Sequence, residues 1–101
     1  MNKLLENNLD KISKYCKDYE VEKLYAFGSI TTDNFSDNSD IDLLIKFKKI
    51  PYEKYADNYF ILHEIFENFF NRKVDLLTEN SLLNPYFIKK INQTKIVLYE
   101  G

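Results

Sequence analysis

The 101-residue sequence has one cysteine, two glycines, two prolines and no long apolar run. Because Cys16 is alone, it cannot form an internal disulfide or supply a cysteine metal cluster. The low glycine and proline content excludes collagen-like and linker-like sequence, and an apolar content of 45% excludes a disordered chain. No segment approaches the roughly 20 apolar residues of a membrane-spanning helix, and the N-terminus is too polar for a secretory signal. We therefore expect a cytoplasmic protein without a membrane partner.

Positive charge is scarce as well. Fourteen lysine and arginine residues stand against sixteen acidic ones, which gives a formal net charge of −2 and a sequence pI near 5.4. Domains that track long nucleic acids usually have a pI above about 9, and the single arginine, Arg72, cannot form a phosphate-reading cluster. These counts argue against extended nucleic acid as the partner but leave a nucleotide ligand open. The length is typical of one domain, so we expect a single domain over residues 1–101.

The spacing of apolar residues predicts alternating helices and strands. Apolar stripes predict helices at 3–19, 52–70 and 85–93, and short apolar runs predict strands at 23–27, 40–47, 73–78 and 95–99. The polar segment 30–39 is expected to form a loop or a short helical turn. The sequence therefore predicts an α+β fold, in which a small mixed sheet of three or four strands has helices packed on it.

The dipeptide Gly28-Ser29 follows the first predicted strand. Glycine lets the backbone approach a ligand closely, free N–H groups in such a turn can hold a phosphate, and the Ser29 hydroxyl adds a donor. A plain turn between two elements is the alternative interpretation of the same residues.

Two acidic residues, Asp40 and Asp42, open the second predicted strand. Because residues two apart in a strand point to the same face, their carboxylates are expected to converge. Like charges held close together repel one another, and a divalent cation such as Mg²⁺, which prefers carboxylate oxygens, would relieve that repulsion. The alternative is an acidic strand start that faces solvent.

A third acidic residue, Asp75, stands within the apolar run 74–77. A carboxylate is costly to bury without a partner, although this face of the strand could also be exposed. If the strand lies beside the second one, Asp75 completes a cluster of three carboxylates with Asp40 and Asp42. Three carboxylates next to a phosphate-binding turn describe a site for metal-assisted phosphoryl or nucleotidyl transfer.

The order of these residues resembles a family signature. Gly28-Ser29, ten intervening residues and then Asp40-x-Asp42 match the Gly-Ser-x10-Asp-x-Asp pattern of the DNA polymerase β-like nucleotidyltransferase superfamily, and Asp75 resembles its third carboxylate. Over essentially the whole chain, the sequence is similar to the minimal nucleotidyltransferase (MNT) branch, which consists of the catalytic core. One departure follows Gly-Ser, where many relatives have a small residue and then Arg-Gly but this chain has Thr31-Thr32-Asp33.

The resemblance implies a polymerase β-like nucleotidyltransferase fold and an enzyme that uses Mg²⁺ and ATP. It implies that Gly28 and Ser29 bind the β- and γ-phosphates of the nucleoside triphosphate. It also implies that Asp40 and Asp42 bind two metal ions. Asp75 would help to bind one of these ions and would act as general base on the attacking hydroxyl.

In the MNT branch the acceptor is often a protein. Such proteins are commonly antitoxins that adenylylate a tyrosine of a partner HEPN-domain ribonuclease toxin, so the resemblance implies protein AMPylation within a toxin–antitoxin pair. The first alternative is a binding module, an antitoxin that neutralises its partner by contact alone. The second is a small regulator that binds a nucleotide or a metal without a toxin.

The predicted helix at 52–70 carries more aromatic residues than one buried stripe requires. This surplus favours either a protein interface, with a partner or with another copy of the chain, or a bulky core in a short protein. His63 and Cys16 fall on apolar stripes, so we expect packing roles for both. Lys89 and Lys90 could reach a phosphate, but lysines near a helix C-terminus are commonly solvated.

Overall fold

The computed structural model describes residues Met1–Gly101. Its helices are α1 (Lys3–Glu6), α2 (Leu9–Asp18), α3 (Tyr52–Phe70) and α4 (Pro85–Thr94), and its strands are β1 (Val21–Phe27), β2 (Ile41–Phe47), β3 (Val74–Thr78) and β4 (Ile96–Glu100). Short 3₁₀ turns, Gly28–Thr31 and Glu79–Ser81, follow β1 and β3. None of the helices combines the length and the apolar character that crossing a membrane requires.

The strands form one four-stranded sheet in the order β3-β2-β1-β4. β1 runs antiparallel to both of its neighbours, whereas β2 and β3 are parallel. A parallel pair needs a long crossover connection, and the chain between β2 and β3 supplies it with α3. The predicted mixed sheet with helices packed on it is confirmed.

One face of the sheet carries the main core, a cluster of 18 buried residues. The helices contribute Leu5, Ile12, Cys16, Leu62, Phe66 and Phe70 to it. Alternate residues of β2 enter the same core, as the two-residue period of a strand requires; they are Ile41, Leu43 and Ile45. Burial raises the pKa of the Cys16 thiol to about 12, so this cysteine is an unreactive packing residue, as expected.

The opposite face of the sheet is covered in part by α4. Phe27, Leu44 and Ile91 form a second, smaller buried cluster there. Asp42 lies two residues before Leu44 on β2 and therefore on this same face. The uncovered part of this face, beside the small cluster, contains the predicted site.

The N-terminal helix differs from the prediction. We expected one helix over residues 3–19, but the chain forms α1 and α2 with a break at Asn7 and Asn8. The Asn8 side chain donates to the Leu4 carbonyl oxygen at 2.7 Å, while its backbone N–H donates to the Leu5 carbonyl oxygen at 3.1 Å. Asparagine side chains compete with the backbone in this way and interrupt helices. The apolar stripe continues across the break, so periodicity does not reveal it.

The aromatic residues of α3 serve mostly the core. Phe66 and Phe70 are buried, Tyr55, Tyr59 and Phe69 pack against the core, and Tyr52 and Phe60 are exposed. The bulky-core interpretation therefore accounts for most of the surplus.

His63 has a structural role at the outer edge of the sheet. Its Nε2 lies 2.8 Å from the Val74 carbonyl oxygen, and Glu67 accepts a hydrogen bond from the Val74 N–H at 3.1 Å. These contacts satisfy the start of the edge strand β3, which has no neighbouring strand on this side. These hydrogen bonds give His63 a structural role, which agrees with the packing role expected from its position on the apolar stripe.

Candidate active site

The turn after β1 begins with Gly28, whose φ of +75° lies in the left-handed region that favours glycine. A β-carbon at this position would stand 2.5 Å from Asp42 Oδ2, so any larger residue would collide with that carboxylate. Glycine therefore permits a close approach between the turn and β2. Ser29 follows in the same turn and is half-buried.

The structure brings the three predicted carboxylates together. Asp42 of β2 pairs with Phe27 of β1 on one side and with Asp75 of β3 on the other. Asp40 lies immediately before β2, two residues from Asp42. The strand that carries Asp75 lies beside β2, which meets the condition for a cluster of the three carboxylates.

The acidity of Asp42 reflects this crowding. Its pKa is raised from 3.8 to about 6, first because burial penalises the charged form and then because the charge of Asp75 acts on it. Hydrogen bonding with Asp75 and the charge of Asp40 raise this pKa further, whereas Lys73 lowers it. A bound cation would offset both the cost of burying the charged Asp42 carboxylate and its repulsion with the neighbouring carboxylates, so the site suits a positive ion.

The sequence analysis did not predict a role for Lys73, which lies directly before β3. Its Nζ lies 3.8 Å from Asp40 Oδ2 and 3.9 Å from Asp75 Oδ1, although 67% of its side chain is exposed. The ammonium group of Lys73 thus lies between two of the three carboxylates. In this arrangement of side chains, no group of three acidic residues is close enough together to bind a metal ion. The oxygen donors still fit a hard cation such as Mg²⁺. The two-residue strand period, applied to Lys73 and Asp75, would have placed this lysine on the site face.

Arg72 holds the loop that leads to Asp40. Its guanidinium donates to the carbonyl oxygens of Ser36 and Ser39 at 3.1 and 2.9 Å. It also lies over the Phe35 ring, 4.6 Å from the ring centroid. The single arginine therefore fixes the backbone just before a predicted ligand. Sequence spacing gave no signal for this contact, since Arg72 and Ser39 are 33 residues apart.

The threonines that replace the usual Arg-Gly stabilise the turn after β1. Thr31 Oγ1 donates to the Gly28 carbonyl oxygen at 2.8 Å, and Thr32 Oγ1 donates to the Ser29 carbonyl oxygen at 2.9 Å. This departure from the family pattern therefore has a local structural role.

A cavity of about 590 Å³ opens beside Gly28, Ser29 and Asp42. Its volume lies within the range of small-molecule and cofactor sites. One face of α4, together with the residue before it, forms a wall of this cavity through Asn84, Tyr86, Phe87, Lys90, Ile91 and Thr94. Of the two lysines considered in the sequence, Lys90 lines the cavity and Lys89 does not.

Thr94, the last residue of α4, modifies the expected role of the turn. Its Oγ1 accepts a hydrogen bond from the Gly28 N–H at 3.2 Å. In the structure, this N–H is therefore engaged within the protein. Ser29, with its hydroxyl, and Lys90, with its ammonium group, are among the residues that line the cavity and could donate to a phosphate.

A glycine turn against neighbouring carboxylates at the edge of a cavity agrees with the nucleotidyl-transfer site that the sequence predicts. The model of the family described as polymerase beta, nucleotidyltransferase matches residues 10–101. A Methanocaldococcus jannaschii protein named "Putative protein adenylyltransferase MJ1379" is 36% identical over 89 residues, which cover 87% of this chain and 88% of that protein. The chain belongs to the polymerase β nucleotidyltransferase family, and it is a nucleotidyltransferase.

Solved structures share the fold. A toxin–antitoxin crystal structure with AMP-PNP superposes with a TM-score of 0.64 at 21% identity and covers 93% of this chain and 74% of that chain. A tri-AMPylated Shewanella oneidensis HEPN toxin in complex with MNT antitoxin gives a TM-score of 0.59 at 18% identity, with 96% and 73% covered. The predicted polymerase β-like nucleotidyltransferase fold is confirmed.

Proposed function

We propose that this nucleotidyltransferase uses Mg²⁺ to transfer AMP from ATP to a tyrosine hydroxyl of a partner HEPN toxin, and that it is the antitoxin of that pair. The name of the Methanocaldococcus relative supports protein adenylylation. The solved structures of the same fold support the partner, because they are toxin–antitoxin complexes, one with a nucleotide analogue and one with an AMPylated HEPN toxin.

The observation that carries the proposal is the position of Asp42. Its carboxylate lies against Gly28 on one side and beside Asp75 on the other, and it lines the cavity. A triphosphate on the Gly28-Ser29 turn would therefore lie beside the carboxylates. Because the phosphates and the carboxylates are all negative, such a complex requires cations between them.

In the proposed reaction, the tyrosine oxygen forms a bond to the α-phosphorus of ATP. The bond between that phosphorus and the oxygen of the β-phosphate breaks, and pyrophosphate leaves with its electron pair. The hydroxyl proton passes to the Asp75 carboxylate, which is the role that the family signature assigns to this position. The products are the AMP–tyrosine ester and pyrophosphate.

Asp40, Asp42 and Asp75 would hold Mg²⁺, which when bound supplies charge neutralisation for the attacking and leaving oxygens. Gly28 and Ser29 would bind the β- and γ-phosphates. Within this turn the Ser29 hydroxyl is the donor we assign, because the Gly28 N–H already donates to Thr94.

The experiment uses ATP labelled at the α-phosphate. The protein is incubated with this ATP and Mg²⁺, with and without the protein encoded by the adjacent gene, and the labelled residue is mapped by mass spectrometry. We expect label on a tyrosine of the partner. ATP labelled at the γ-phosphate should transfer nothing, which separates adenylylation from phosphorylation.

Two variants control this assay. Asp42→Asn removes a carboxylate of the site and should abolish transfer, whereas Asp10→Asn changes an exposed carboxylate on α2 and should transfer normally. If Asp42→Asn loses transfer but still neutralises the toxin in cells, neutralisation occurs by contact alone and the enzymatic account of the antitoxin is wrong.

A further inference from the structure

The cavity beside the carboxylates has both a polar side and an aromatic surface. Gly28, Ser29 and Asp42 form its polar side, whereas Tyr86 and Phe87, in the first turn of α4, add aromatic surface. None of the roles assigned above uses these two aromatic residues.

The wall that carries them is fixed at both ends. At the start of α4, Asn84 Oδ1 accepts hydrogen bonds from the N–H groups of Tyr86 and Phe87 at 2.9 and 3.2 Å. At its end, Thr94 accepts the hydrogen bond from Gly28. The helix is therefore held in a defined position relative to the Gly28-Ser29 turn.

The length of this wall matches an extended nucleotide. Tyr86 lies eight residues before Thr94, which corresponds to about 12 Å along a helix. A triphosphate and ribose placed along the wall would separate the base from the terminal phosphate by a comparable length. Lys90 lies between the two ends on the same wall, where its charge would meet the phosphates.

Tyr86 has no packing role in the fold. It is 86% exposed, whereas Phe87 is 42% exposed and rests edge-on against Phe27, with 6.1 Å between the ring centroids. Ile91, one turn further along, is buried in the cluster that supports Phe27. An exposed aromatic ring beside a supported one, at the rim of a cavity, offers a flat surface on which a base can stack.

We propose that Tyr86, supported by Phe87, binds the nucleobase of the donor nucleotide by stacking. This inference rests on the proposed function, because it takes the donor to be a nucleoside triphosphate whose phosphates lie on the Gly28-Ser29 turn. The two ligand parts are then bound by separable groups: the base by the start of α4, and the phosphates by the turn and the carboxylates.

The test measures binding of ATP and of inorganic tripolyphosphate to the protein by calorimetry, with Mg²⁺ and without an acceptor. Tripolyphosphate carries the phosphates but no base. Tyr86→Ala should weaken ATP binding about tenfold, which is typical of the loss of one base–aromatic stack. The same variant should leave tripolyphosphate binding unchanged. Tyr86→Phe keeps the ring and should bind ATP like the parent protein.

Tyr52→Ala removes an equally exposed tyrosine from α3, away from the cavity lining, and should change neither affinity. Unchanged ATP binding in Tyr86→Ala would overturn the inference, and so would an equal loss for both ligands, since Tyr86 would then act on the phosphates or on the fold. A parent protein that binds tripolyphosphate as tightly as ATP has no base site, which overturns the inference alone. A parent protein that binds neither ligand overturns the proposed function together with it.

Discussion

The carboxylate of Asp42 occupies the space that a side chain at Gly28 would need, with Oδ2 2.5 Å from the position of a β-carbon there. The register of the sheet creates this contact, because Asp42 pairs with Phe27 and Gly28 is the next residue along the chain. The glycine and the aspartate of the family signature, which are separated by a polar loop in the sequence, therefore form one structural unit.

Gly28→Ala should destabilise the protein and abolish nucleotidyl transfer. A left-handed backbone costs a residue with a β-carbon at least about 1 kcal/mol, and the added methyl group would displace the Asp42 carboxylate. Urea unfolding measures the first effect and the α-phosphate transfer assay measures the second.

The second glycine of the chain provides a matched control for this substitution. A β-carbon at Gly101 would meet only the far end of the Tyr99 ring, 2.8 Å from its hydroxyl oxygen. Because the contact is with the hydroxyl end of that ring and Gly101 itself is exposed, Gly101→Ala should leave both stability and transfer close to those of the parent. Full transfer by Gly28→Ala would show that the close contact is not required.

Asp42→Asn should stabilise the metal-free protein above pH 6. The pKa of Asp42 is about 6 in the folded protein against an ordinary value of 3.8, so the folded state binds this proton more tightly than the unfolded chain does. The stability that depends on this proton is fully present below about pH 4 and is lost as the pH rises through 6. Asparagine carries no charge at either pH. In thermal unfolding with EDTA, the Tm of Asp42→Asn should therefore decline less between pH 4 and pH 8 than the Tm of the parent protein.

Adding Mg²⁺ should reduce or reverse the stability advantage of Asp42→Asn over the parent protein. A cation that binds only the folded state raises its stability, so the Tm of the parent protein should rise with Mg²⁺ and that of Asp42→Asn should rise less. Asp10→Asn should follow the parent protein in both buffers. An Asp42→Asn variant that is less stable than the parent in EDTA at pH 8 would contradict the assigned effect of burial and charge on Asp42.

Periodicity and spacing predicted the sheet, the helices after β1 and the meeting of Asp40, Asp42 and Asp75. These features depend on local rules, since residues two apart share a strand face and an acidic residue in an apolar strand needs a partner. One additional assumption, that the third predicted strand lies beside the second, was enough to assemble the carboxylates.

The features that the sequence did not reveal depend on contacts between distant segments. The hydrogen bonds from Arg72 to the loop before Asp40, and the one from Gly28 to Thr94, join segments without a shared pattern. The break at Asn8 follows from a side-chain hydrogen bond that leaves the apolar stripe intact. The aromatic wall of the cavity appears only when α4 is placed against the end of β1.

Lys73→Met should tighten Mg²⁺ binding in the absence of nucleotide. Lys73 pairs with Asp40 and Asp75 and competes with a metal ion for both carboxylates. Because exposed ion pairs are weak, we expect a gain in affinity of about fivefold, measured by calorimetry.

Lys23→Met is the control for this substitution, since Lys23 pairs with Glu100 and not with the site. It should leave Mg²⁺ affinity unchanged. Weaker Mg²⁺ binding in Lys73→Met would mean that the lysine supports the metal site instead of competing with the metal.

Arg72→Gln should loosen the loop before Asp40 and weaken the use of Mg²⁺. The substitution removes the charged donor to the Ser36 and Ser39 carbonyl oxygens and the contact over Phe35. Hydrogen bonds from a charged group to the backbone stabilise by about 1.5–3 kcal/mol, so partly exposed ones should cost about 1–2 kcal/mol in urea unfolding. Hydrogen exchange should become faster within residues 34–40.

The effect on catalysis separates positioning from stability. If Arg72 positions Asp40, the Mg²⁺ concentration needed for half-maximal transfer rises in Arg72→Gln, and saturating Mg²⁺ restores most of the rate. Arg72→Lys keeps the charge but not the planar group that donates to the loop and lies over Phe35, so it should rescue only part of the loss. A lower stability with an unchanged Mg²⁺ requirement would limit Arg72 to holding the fold. In that case the geometry of Asp40 would depend on the start of β2 and on Lys73, because the Ile41 N–H donates to the Lys73 carbonyl oxygen at 3.1 Å.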